Sequence, residues 1–101
     1  FALKHEQHYR LTFLDAPKDP SDYAFQGSAG QRAFMLLHQA VREAVDQGRI
    51  RPVDVDTTAQ ALWTSVHGVA AALIAMKGFP FVDRRTLVGF TVDTLLRGLQ
   101  P

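Results

Sequence analysis

Trp63 and His67 stand four residues apart in the stretch ALWTSVHGVAAALIAMKGF at 61–79, a spacing that puts both rings on one face of a helix. An indole beside an imidazole gives a broad apolar surface with two hydrogen-bonding tips. That pairing suits holding a small organic molecule or sensing acid. Tyr9, Phe13, Phe34 and His38 carry the same chemistry elsewhere in the chain. If the fold gathers Tyr9, Phe13, Phe34, His38, Trp63 and His67, they form an aromatic cluster with several polar tips, the usual make-up of a ligand cavity. The same six residues also describe a filled core whose tips bond to backbone carbonyls or to one another. Spacing alone leaves both readings open.

Other chemistries find less support. His5 and His8 lie three apart, and His38 and His67 are the remaining histidines. No H-x-x-x-H or H-E-x-x-H pattern occurs, so no metal site is expected. No cofactor is expected either. The chain has no cysteine, no glycine-rich phosphate loop, and no Ser-His-Asp set that helices would bring together, so it is not expected to be an enzyme.

Eleven basic and ten acidic residues leave a formal charge of +1, without the clustered basic face that nucleic acid binding requires. The apolar run from Val66 to Met76 is much shorter than the roughly 20 residues of a membrane span, so no membrane association is expected. The lack of cysteine suits a reducing cytoplasm. With 101 residues, the chain is expected to be one domain spanning 1–101. It opens on Phe1-Ala-Leu in a helix-like pattern without an initiator methionine, and is expected to be one domain of a longer protein.

Breaks at Asp15–Asp22, Gly27–Gly30, Gly48–Pro52 and Gly78–Val82 divide the chain into four segments of helical periodicity. None alternates with period two, so an all-α fold is expected. The first helix spans about 2–14, with Phe1, His5, Tyr9 and Phe13 on one stripe. The second spans about 29–47, with Ser28 as N-cap, Gly48 at C′, and Phe34, Leu37, His38, Val41, Ala44 and Val45 inward. Arg42 and Asp46 are spaced as an outward i, i+4 pair. The third starts at Asp54 and ends near Lys77. The fourth runs from Asp83 to about Gly98, with Val88, Val92, Leu95, Leu96 and Leu99 on one face and Asp93–Arg97 as an outward pair.

The third helix is apolar nearly all round. Ala59, Leu62, Val66, Val69, Leu73 and Met76 make one stripe, Trp63, His67, Ala70 and Ile74 a second, and Ser65, Gly68, Ala72 and Ala75 a third of small residues. Three other helices cannot cover every side of such a rod. Small residues three and four apart let another helix approach closely, which offsets the roughly 1 kcal/mol that glycine costs in a helix interior. The third and fourth helices would form an antiparallel hairpin. Two hairpins related by a two-fold axis would then build an intermolecular four-helix bundle. The expected homodimer interface is Ser65, Gly68, Ala72 and Ala75 with Val88, Val92, Leu95 and Leu99. The alternative is that the small stripe packs within one chain.

Leu62-Trp63-Thr-Ser-Val-His67-Gly68-Val-Ala resembles the Trp-x-x-x-His-Gly signature of a C-terminal domain of TetR-type transcriptional regulators. Gly48-Arg-Ile-Arg-Pro-Val-Asp54 is similar to that family's link into its long helix. Phe1-Ala-Leu-Lys-His5-Glu-Gln-His-Tyr9-Arg is similar to an earlier helix, although Glu6 stands where the family often has proline. Phe79, Asp83 and Leu95-Leu96-Arg97-Gly98-Leu99 fit its last helix. The resemblance implies a domain that binds a small, hydrophobic or aromatic effector and dimerises. It also implies an amino-terminal helix-turn-helix domain, outside this chain, that binds DNA. A ligand-released repressor is the expected function. A structural dimerisation domain with a packed core and no effector is the alternative.

Overall fold

Gly48 sits where a helix has to be turned off. The computed structural model describes Lys4 and residues 29–101, and its first helix, α1, is Ala29–Asp46. Gly48 takes φ +70°, a left-handed conformation that costs glycine little. The turn lets Gly48 N–H reach Val45 O at 3.1 Å and Arg49 N–H reach Ala44 O at 2.9 Å. These two bonds make a Schellman closure, which satisfies carbonyls that a helix end otherwise leaves open.

The long helix α2 is Val55–Ala75. Asp54 is its N-cap, with one carboxylate oxygen accepting from Thr57 N–H at 2.9 Å and from the Thr57 hydroxyl at 2.7 Å. Those two bonds hold the Asp54 carboxyl below the usual aspartate value, the hydroxyl contributing most. The helix closes at Ala75, slightly before the expected Lys77, and Met76 N–H still bonds Ala72 O at 2.9 Å. Phe79 N–H to Met76 O at 3.1 Å then forms the turn ahead of Pro80. Helix α3 is Arg84–Gly98, capped by Asp83, which accepts from Arg85 and Thr86 N–H at 3.1 and 3.3 Å.

These three helices correspond to the second, third and fourth of the sequence expectation. The structure is all-helical, with no strand among the described residues. The expected first helix, with Tyr9 and Phe13, lies outside them. No described helix is long and apolar enough to cross a membrane.

Helix α2 packs against α1 on one side and α3 on another. Val41 of α1 and Ala59 and Ile74 of α2 are buried, and Phe34, Leu37, His38, Ala44 and Val45 of α1 are half-buried, as the inner-face pattern predicts. Arg51, in the α1–α2 linker, donates from its backbone N–H to Leu99 O at 2.8 Å and from Nε to Gly98 O at 3.0 Å. A guanidinium at the carbonyl end of α3 is favoured by the helix dipole. The linker is therefore fastened to the far end of the last helix.

Three details differ from expectation. The half-buried row of α3 is Leu87, Thr91, Leu95 and Leu99, an i, i+4 stripe that a single contacting helix can cover. Val88, Val92 and Leu96 stay 37%, 38% and 55% exposed, so the single apolar face of five residues splits into an inner row and an outer row. On α2, Val66 and Met76 of the expected aliphatic stripe are exposed, while Leu62, Val69 and Leu73 are half-buried. Arg42 and Asp46 are both exposed and make no ion pair, whereas Arg97 Nε and Asp93 Oδ2 do so at 2.8 Å.

Candidate functional site

Two i, i+4 ring pairs, one on each of two helices, meet at one contact. On α1, the rings of Phe34 and His38 are 6.1 Å apart and tilted by 49°. On α2, Trp63 and His67 are 4.4 Å apart at 43°. Phe34 meets Trp63 edge to face at 5.4 Å and 83°, a geometry that places the positive ring edge on the negative face. The packing of α1 on α2 thus strings His38, Phe34, Trp63 and His67 into one continuous row.

The two histidines have different surroundings. His67 is half-buried, and burial pushes its pKa below the ordinary imidazole value. Loss of water around the ring disfavours the charged form. His38 instead places Nε2 2.6 Å from Asp56 Oδ1, in the first turn of α2. Its tip is turned toward an exposed carboxylate. His38 thus meets the start of α2, and of the two histidines only His67 lines the groove described next.

Next to the rings is a groove of ≈260 Å³. Its wall on α2 is Leu62, Trp63, Val66 and His67; Leu37 of α1 closes one side and Val92, Leu95 and Leu96 of α3 the other. Phe34 and His38 do not line it. Phe34 meets the Trp63 ring edge to face. A volume of this size is just under the roughly 300–1,000 Å³ of ordinary ligand pockets, room for one or two rings or a short branched chain. Among the described residues, the lining contains no carboxylate, hydroxyl or amine. Its polar groups are the Trp63 indole and the His67 imidazole.

The residues expected at a dimer interface fall into two sets. Gly68 and Ala75 are exposed, Ser65 and Ala72 half-buried. A Cβ added at Gly68 would meet nothing within 4 Å. Ser65 directs its hydroxyl back to Ala61 O at 2.7 Å, leaving the stripe without an outward donor from that residue. Val88 and Val92 are on the exposed row of α3. Leu95 and Leu99 are on its inner row, and Leu95 and Val92 also wall the groove. Among the described residues, no group of three His, Cys, Asp or Glu side chains could hold a metal ion; His5 and His8 lie outside them.

Sequence reasoning missed Asp56 and Arg51. Asp56 is 18 residues from His38 and Arg51 is 47 from Gly98, so no local pattern could pair them. The basic residues after Gly48 were visible in the sequence, but their target was not.

The family model described as "Tetracyclin repressor-like, C-terminal domain" matches residues 1–95, and the chain belongs to that family. No curated protein and no solved structure matches it. The family is one of regulator ligand-binding and dimerisation domains.

Proposed function

We propose that residues 1–101 form a single effector-sensing domain of the Trp-x-x-x-His-Gly type, working in the cytoplasm as part of a ligand-released repressor. The effector is small and hydrophobic or aromatic, and it occupies the groove beside Trp63 and His67, with Tyr9 and Phe13 completing the aromatic cluster. The domain homodimerises through the small stripe of α2 and the outer row of α3. DNA is bound by an amino-terminal helix-turn-helix domain outside this chain. The observation that carries the reading is the groove itself, which the described residues line with aliphatic side chains, one imidazole and one indole.

Val92 and Leu96 belong both to the groove wall and to the outer row of the proposed dimer face. A ligand in the groove would therefore bias the position of α3, and through the dimer the spacing of two DNA-reading heads. That is a population shift between two dimer geometries, one of which fits successive major grooves.

Trp63 is the chain's single tryptophan, so its emission reports on the groove without labelling. Titration with naphthalene, phenyl and short-acyl compounds is expected to give at least one saturable change in Trp63 emission. The same compound should raise the melting temperature, ligand at about 100 times Kd adding roughly 2.7 kcal/mol. Flat emission and an unmoved melting temperature across the set would favour the packed, effector-free dimerisation domain instead.

A further inference from the structure

A short polar bond joins α1 to α2 beside the groove. His38 Nε2 stands 2.6 Å from Asp56 Oδ1. A carboxylate oxygen accepts, so the imidazole donates from Nε2. The His38 side chain is half-buried and that of Asp56 largely exposed.

Position 38 is well placed to govern the groove. Leu37, the preceding residue, is the one side chain of α1 among the described residues that walls it. One turn earlier, Phe34 meets the ring of Trp63, which is part of the α2 wall. Both walls therefore depend on how α1 lies along α2. A slide or roll of α1 would carry Leu37 toward or away from the groove and change the angle of Phe34 on Trp63.

Apolar contact fixes that register only loosely. Burial is a non-directional force, and within α1 only Gly30 and Val41 are buried. A hydrogen bond, in contrast, weakens steeply as its geometry departs from the optimum. The His38–Asp56 bond ties the middle of α1 to the first turn of α2. Exposed pairs of this kind add little to stability. What this one supplies is direction.

We propose that Asp56 is a positioning residue of the groove, a role that rests on the groove being the effector site. By holding His38, Asp56 sets the register of α1 on α2 and with it the width between Leu37 and Trp63. That width decides the size of the ring system admitted. Asp56 is not part of the groove lining and acts through His38 and its neighbours on α1.

The test compares the 101-residue chain with its Asp56→Ala and Asp56→Asn variants. Trp63 is the single tryptophan, so its indole N–H gives one proton resonance. Without ligand, that resonance and the Leu37 methyl signals should move in Asp56→Ala. Asp56→Asn keeps an acceptor of the same shape and should leave them near their wild-type positions. Both variants lose the charge in the first turn of α2, so an effect of charge alone would move both alike. Calorimetric titration with phenol and 2-naphthol then reads the selectivity. Asp56→Ala should shift the affinity ratio at least about three-fold toward the larger ring, with Asp56→Asn staying within about two-fold of the wild type. Unmoved signals in Asp56→Ala, equal displacement in Asp56→Asn, or an unchanged ratio would each overturn the positioning role and leave the effector reading standing. No saturable heat from either probe in the wild type, with flat Trp63 emission across the wider compound set, would remove the effector reading and this role with it.

Discussion

His67 holds a proton less readily than a free imidazole because part of its ring is out of water. With the folded value below 6.5, the unfolded chain binds a proton in an interval where the folded chain does not. The stability associated with this group is therefore fully present above pH 6.5, declines as pH falls through that value, and levels off below the folded pKa. His67→Gln removes the titration. Melting curves between about pH 5 and 8 should show a shallower acid-side loss in the variant than in the wild type. Equal slopes would mean that the ring is solvated. At this scale the sequence was partly legible. The i, i+4 pairs at 34/38 and 63/67 announce ring contacts within each helix, and both contacts exist. The bond of His38 to Asp56 was not legible, because it depends on the tilt of one helix across another.

The elements were legible where single residues set their ends. Asp54 and Gly48 occupy the helix ends expected of them, and Asp83, expected to begin the last helix, caps it, since capping is decided by side-chain oxygens and glycine freedom within a few residues. Replacing Asp83 by alanine frees the Arg85 and Thr86 amides at the start of α3. Chemical denaturation should show a loss of about 0.5–2 kcal/mol. The burial of faces was less legible. An apolar residue on α3 reads the same whether it meets α2 or looks outward, so the inner Leu87–Leu99 row and the outer Val88–Leu96 row appeared as one. Ile74, fully buried on α2, is the strongest core anchor among the described residues. Ile74→Ala should destabilise by about 2–5 kcal/mol. A loss below about 0.5 kcal/mol, the range of surface changes, would remove it from the core.

At the scale of the molecule, the chain leaves apolar surface uncovered in two places that the proposed two-fold axis would join. One is the small stripe of α2, where a Cβ at Gly68 meets nothing. The other is the outer row of α3, with Val88, Val92 and Leu96 exposed. Composition and periodicity signalled that α2 has more apolar sides than one chain can cover. They could not say what covers the rest, because a partner copy adds no residue to the sequence. Gly68→Leu separates packing within the chain from packing between copies. The open space at position 68 accommodates the new side chain in the monomer, so the melting temperature of a dilute sample should not fall. A close helix crossing in the dimer has no room for it, and association should be lost.

Sedimentation equilibrium at about 10 µM tests the paired-sensor account most directly. The account predicts a wild-type particle of twice 11.2 kDa that becomes an 11.2 kDa particle in Gly68→Leu. A wild-type particle of 11.2 kDa, or a variant that sediments unchanged, would contradict it.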